Sequence, residues 1–160
     1  MLFALAASNQ TYLSATALVT NSDNASTLEC WQLDIPFTVP STPGISGSSL
    51  AKLGNFTNGA YTVLPPRFNG GIHNAPVPQL VHFISGLAHV TLPHDPKLES
   101  WIVGGAGGLL LAFDVTGSGH STTYPSDETT VAITLPFEGG RIPEHSVLAK
   151  KPCEGKQSFV

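Results

Sequence analysis

The chain has 160 residues, with 16 Gly, 13 Pro and 11% charged residues, against about 25% charged in an average soluble domain. That length suits one domain with a real core. The net charge is −4 and the seven Lys and Arg are scattered apart from Lys150-Lys151, which argues against nucleic-acid binding, where a basic patch is needed. No apolar run approaches the ~20 residues of a membrane span.

No long helical periodicity occurs. Short apolar runs broken by Gly, Pro, Ser and Asn predict an all-β single domain, a sandwich or a barrel. Residues 1–27 read as an N-terminal arm. Its start, MLFALAAS, contains Ala4-Leu5-Ala6, an A-x-A-like cleavage pattern without a basic region, and residues 1–7 read as a signal-peptide remnant. One edge strand is expected at Tyr12–Val19. Residues 28–153 form the expected β-domain, and 154–160 a C-terminal tail.

Leu28–Val39 alternates well, with Trp31, Leu33, Ile35 and Phe37 on one face and Cys30, Gln32 and Asp34 on the other. A Pro/Gly/Ser loop follows at 40–49. Leu50–Leu53 suggests one helical turn, and Ala60–Leu64 a strand stopped by Pro65-Pro66. Next come two strand-like runs, Gln79–Ile84 and Leu87–Leu92, separated by Ser85-Gly86, which reads as a two-residue hairpin turn. That hairpin pairs His82 with His89 on an outer face suited to a homodimer interface. It places Gln79, Val81, Phe83, Ala88, Val90 and Leu92 on the core face. A buried amide needs partners, so Gln79 lines a wet pocket, binds a ligand or sits at a rim in water.

Pro93–Ser100 reads as a polar loop. Gly104-Gly105-Ala106-Gly107-Gly108 lacks the G-x-G-x-x-G spacing and a following helix, so it reads as a connection between the strands at Trp101–Val103 and Leu109–Val115 rather than a nucleotide loop. His120, Thr122 and Tyr124 share one face of a strand, and Thr129–Leu135 forms another. Gly139-Gly140 is a turn, and Arg141–Leu148 a last strand or coil. Asp127 and Glu128 are adjacent and point oppositely on a strand, and nothing nominates a partner for Asp114.

Cys30 and Cys153 lack metal spacing and read as a single disulfide; two buried free thiols are the alternative. Asn-x-Ser/Thr sequons stand at Asn9, Asn24 and Asn55. Together these features predict a secreted or secretory-pathway protein.

The stretch His73, Ala75, Gln79, Gly86 resembles a degenerate first cupin motif, His-x-His, then Glu, then Gly. Ala75 and Gln79 stand at the second His and the Glu. Gly117-Ser118-Gly119-His120, with Tyr124 in place of Asn, is similar to the second motif, though Val115 stands where Pro is usual. The resemblance covers roughly residues 60–148. The pattern also resembles small secreted cupin-like proteins of filamentous fungi. It implies a jelly-roll barrel over a central pocket. Carried over, it nominates His73, Gln79 and His120; in a metal-free pocket His73 and His120 are the expected catalytic acid and base, with Gln79 orienting a carbonyl and Tyr124 donating a proton. Arg67, Asn74, Val81, Phe83, Val90 and Trp101 are the expected substrate contacts.

Three functions follow. The first is an isomerase, lyase or cyclase of secondary metabolism, acting on a small apolar molecule with no cofactor. The second is an oxygenase with a divalent metal (Fe, Mn, Ni, Cu or Zn) at His73, Gln79 and His120, where a neutral Gln is a poor substitute for Glu. The third is a non-catalytic secreted binding protein.

Overall fold

A computed structural model describes residues 10–155; the leader-like start, Asn9 and residues 156–160 lie outside the described range. Eleven strands and one 3-10 turn are formed, with no α-helix among the described residues. The strands are β1 Tyr12–Thr20, β2 Ser26–Pro36, β3 Ala60–Leu64, β4 Asn69–His73, β5 Gln79–Ser85 and β6 Leu87–Leu92. They continue with β7 Asp95–Val103, β8 Leu109–Ala112, β9 His120–Thr123, β10 Thr130–Pro136 and β11 His145–Ala149. Two sheets result, a seven-stranded one in the order β11-β2-β1-β8-β5-β10-β3 and a four-stranded one in the order β4-β9-β6-β7. All pairs are antiparallel except β1 with β8.

Alternation explains the layering. Leu18 and Leu28, Val81 and Phe83, Leu110 and Ala112, and Ala132 from the larger sheet meet Ala88, Val90, Leu92 and Ile102 from the smaller one in a single buried cluster. The larger sheet is buried on its other face too. There Leu13, Ala15, Ala17, Trp31, Leu33, Leu80 and Leu111 form a second cluster with Phe113 and Phe137. The connection between β2 and β3 supplies Phe37, Leu53 and Phe56 to cover it, fastened by the bridges Thr38–Leu50 and Phe56–Phe137.

Several expectations are corrected. Tyr12–Val19 is no edge strand of an arm, because β1 pairs with β2 on one side and β8 on the other and buries Leu13, Ala15, Ala17 and Leu18. Leu50–Leu53 makes a bridge and no helical turn. Of the expected loop at 93–100 only Pro93-His94 is a turn, since β7 begins at Asp95 and pairs with β6.

The largest correction concerns the hairpin. β5 and β6 lie in different sheets, so His82 and His89 are not partners. β5 pairs with β8 and β10, and β6 with β7 and β9. His82 Nε2 instead lies 2.9 Å from the Gly105 carbonyl, and the cross-strand histidine pair expected at a dimer interface does not form. Ser85-Gly86 is the corner where the chain changes sheets. The alternation still turns Val81, Phe83, Ala88, Val90 and Leu92 inward, because a sharp corner preserves the inward face as a hairpin does. Gly86 takes φ 85°, and a Cβ there would lie 2.6 Å from Thr130 Cα, so backbone and not a pliable side chain is in the way. Gly86→Ala is therefore expected to destabilise by about 2 kcal/mol or more, read as a lowered urea midpoint at unchanged slope.

Cys30 and Cys153 are disulfide-bonded across 123 residues. Beside the bridge, Glu29 accepts from Trp31 Nε1 at 2.7 Å and pairs with the Lys150 ammonium. Burial alone raises the Glu29 carboxyl, but the hydrogen bonds from Lys150 and Trp31 outweigh it and hold the group below its ordinary value of 4.5. A carboxyl that is more acidic folded than unfolded contributes stability above its unfolded pKa and loses it as pH falls through the folded one. Stability is thus expected to decline below about pH 4.5, and Glu29→Gln to flatten that decline in urea titrations run at stepped pH.

Candidate functional site

A cavity of about 170 Å³ opens between the sheets, the room of five or six waters. The larger sheet supplies Val81 and Phe83 from β5, Leu110 and Ala112 from β8, and Ala132 from β10; the smaller contributes His120 and Thr122 from β9 and His73 from β4. The apolar lining reflects the alternation that builds the core. The polar groups sit where strands end. Gln79 starts β5, His73 closes β4, His120 opens β9 and Tyr124 follows it.

His73 and His120 are register partners across the β4–β9 pair, with ring centroids 4.4 Å apart at 57°. His73 is exposed and forms the mouth, and its Nδ1 lies 3.0 Å from the Gly71 carbonyl. His120 is 4% exposed and lies deep. Its Nδ1 is 2.8 Å from Asp114 Oδ2, leaving Nε2 as the nitrogen available to the cavity. Asp114 is fully buried, and the same oxygen accepts from Ser26 Oγ at 2.7 Å. A carboxylate that accepts at Nδ1 fixes the neutral ring as the Nδ1–H tautomer with a lone pair on Nε2.

Asp114 is the residue that sequence reasoning missed. It follows β8 and is joined to His120 by a five-residue turn, Val115–Gly119. Carboxylate and imidazole six residues apart across a Gly-containing turn were the available signal. That turn is clamped from three sides. Asn74 Nδ2 donates to the Asp114 and Thr116 carbonyls, each at 3.0 Å, Thr20 Oγ1 to Thr116 at 2.7 Å, and Ser26 N to Ser118 Oγ at 2.9 Å. Gly119, at φ 72°, lets the turn approach β4, for a Cβ would lie 2.7 Å from the His73 carbonyl.

Tyr124 is half-buried between Phe68 and Phe83, with centroids 6.1 and 6.4 Å away. Burial pushes its phenol above the ordinary value of 10, so it is protonated at neutral pH. Among the described residues neither the Tyr124 hydroxyl nor the Gln79 amide has a protein side-chain hydrogen bond, and neither is sealed from solvent.

The structure thus brings together His73, Gln79, Val81, Phe83, His120 and Tyr124 around one cavity. It places four other nominated residues elsewhere. Arg67 is exposed at φ 58° and pairs with Asp127 at 2.6 Å. Asn74 spends its amide on the Asp114 turn. Val90 is packed into the core, and Trp101 stands on the outer face of the smaller sheet against His89. Sequons Asn24 and Asn55 are exposed.

No family model and no curated protein matches this chain. The metal implied by the cupin resemblance fits the donor set poorly. Two imidazoles and a neutral amide replace three His and a Glu, and among the described residues no group of three or more His, Cys, Asp or Glu side chains is placed to hold an ion. Asp114, the carboxylate bonded to His120, engages Nδ1 rather than joining Nε2 at the cavity.

Proposed function

We propose that this chain is a cupin-like jelly-roll enzyme that rearranges a small, largely apolar molecule by acid–base chemistry, as an isomerase, lyase or cyclase. The observation that carries this reading is the buried Asp114–His120 pair, aimed into the same cavity as His73, Gln79 and Tyr124. In the isomerisation of a β,γ-unsaturated ketone, His120 Nε2 takes a proton from the carbon between the carbonyl and the double bond. The electron pair moves onto the carbonyl oxygen, where the Gln79 amide donates a hydrogen bond. The Tyr124 phenol, or His73 at the mouth as an imidazolium, gives a proton to the γ carbon of the resulting dienolate and regains one through water from the His120 imidazolium, so atoms and charge balance over the cycle. The apolar walls strengthen these interactions by excluding water.

The disulfide fits an oxidising compartment. With the exposed sequons it supports the secretory pathway as the protein's location. No helix among the described residues is long and apolar enough to cross a membrane.

Deuterium exchange tests the reading without knowledge of the natural substrate. In D2O the protein is expected to accelerate exchange of the acidic C–H of 2-tetralone by about 10²-fold or more over buffer. His120→Ala is expected to abolish the acceleration and His73→Ala to reduce it. A wild-type protein that leaves exchange at the buffer rate overturns the catalytic reading, and saturable binding of the ketone without exchange assigns the cavity to a binding protein.

A further inference from the structure

A second concave surface lies apart from the cavity. It is a groove of about 740 Å³ between the free edge of β7 and the first strand, β1. β7 is the outermost strand of the smaller sheet, and its consecutive residues Ser100 to Val103 line one wall. Trp101, 54% exposed, is the largest side chain there.

This indole is held in a fixed pose. His89, its register partner on β6, stacks on it with ring centroids 3.7 Å apart and planes 9° from parallel. Glu99 holds both rings, accepting the indole Nε1–H at Oε1 (3.3 Å) and bonding His89 Nε2 at Oε2 (2.7 Å). His89 covers one face of the indole, and Trp101, on the outermost strand of the sheet and half exposed, lines the groove. The other wall carries Gln10, Tyr12 and Gln32. Among the described residues that line the groove, Glu154 is the one with a full charge at neutral pH, and Lys151 pairs with it at 2.9 Å.

We propose that this groove binds a neutral oligosaccharide, with one pyranose ring laid on the Trp101 indole. The π face of an indole is electron-rich, and the axial C–H bonds of a pyranose are its electron-poor complement. Tyr12 donates its hydroxyl to Gln10 Oε1 at 3.1 Å, and the hydroxyls around the sugar ring edge match the Gln10 N–H groups and the Gln32 amide of that wall. Among the described lining residues the one charge is already paired, which suits an uncharged ligand, and 740 Å³ admits several sugar units. An extended peptide added to the β7 edge is the competing occupant. Edge pairing draws on backbone groups and needs no indole clamped by a histidine and a carboxylate, so the observed clamp favours the sugar.

The test titrates the whole chain with cellohexaose, laminarihexaose and chitohexaose, read by intrinsic fluorescence and calorimetry. Saturable binding of at least one is expected. Trp101→Ala is expected to weaken it at least tenfold. His89→Ala, which frees the indole, is expected to weaken it severalfold at an unchanged melting temperature, and His73→Ala to leave it unaltered. No saturable response to any of the three sugars, or undiminished affinity in a folded Trp101→Ala protein, overturns the proposal. Binding of an extended Thr-Val decapeptide with no sugar response also overturns it, in favour of strand addition.

Discussion

Replacing Cys30 and Cys153 together by Ser is expected to lower the unfolding free energy by about 5 kcal/mol in the chain-entropy model, since the bridge closes a loop of more than 120 residues. For a domain of this size that corresponds to a fall of roughly 10–20 °C in melting temperature. The bond ties β2 to the segment after β11. β11 is the outermost strand of the larger sheet and, among the described residues, pairs with β2 alone, and its middle residues Ser146–Leu148 are exposed. Its other anchors include His145, stacked on Trp31 with ring centroids 3.3 Å apart, Ser146 Oγ, which donates to Asp34 Oδ1 at 3.2 Å, and Lys150 on Glu29. Loss of the bridge should therefore show first at this edge. Amide exchange in the Ser–Ser protein is expected to speed up at Val147 and Ala149 well before it does at Leu18 or Leu111. A melting temperature within 2 °C of the wild type, or uniform protection across β11 and the core, would show that the side-chain anchors suffice and that the covalent link is redundant.

The legible parts of this chain were those fixed by local periodicity. The strands at 60–64 and 130–136, the corner glycine at 86 and the turn at 139–140 all follow from alternation and punctuation that act within a few residues. The inward set Val81, Phe83, Ala88, Val90 and Leu92 was readable for the same reason. Strand partnership was not readable, because Ser85-Gly86 satisfies a hairpin and a change of sheet equally well. The difference lies in long-range partners, β8 and β10 for β5, and β7 and β9 for β6, which local alternation does not encode. β1 was misjudged as an edge because its small residues, Ala15 and Ala17, look unlike core until Trp31 and Phe113 fill the space above them. At the candidate site, the β4–β9 register brings His73 and His120 together, and Gln79 lines the same cavity from β5. Trp101 was expected as a substrate contact in the cavity, but its position in β7 directs it outward beside His89.

Asp114→Asn is expected to lower catalysed 2-tetralone exchange by about 10²-fold and to switch the resting tautomer of His120. The reason lies in what surrounds the carboxylate. Oδ2 takes both available hydrogen bonds, from Ser26 and from His120, while Oδ1 is buried and has no partner among the described residues. An asparagine has two ways to fit. With its oxygen in the Oδ2 position, its amide hydrogens fall where no acceptor is found, and buried unsatisfied donors cost about 1–3 kcal/mol. With its nitrogen there instead, it donates to Ser26 Oγ and to His120 Nδ1, and its oxygen occupies a place that already tolerates a partnerless oxygen. The second fit satisfies more groups and should prevail. It forces the imidazole proton onto Nε2, so that the nitrogen facing the cavity becomes a donor and can no longer accept a proton from carbon. Nitrogen-15 spectra of the imidazole read this change directly, independent of any substrate. Ser26→Ala removes only the supporting bond and is expected to keep the Nδ1–H tautomer with a smaller loss of exchange. Should Asp114→Asn keep the Nδ1–H tautomer and full exchange while merely lowering stability, Asp114 would be a packing residue of the turn and the base would have to lie elsewhere in the cavity.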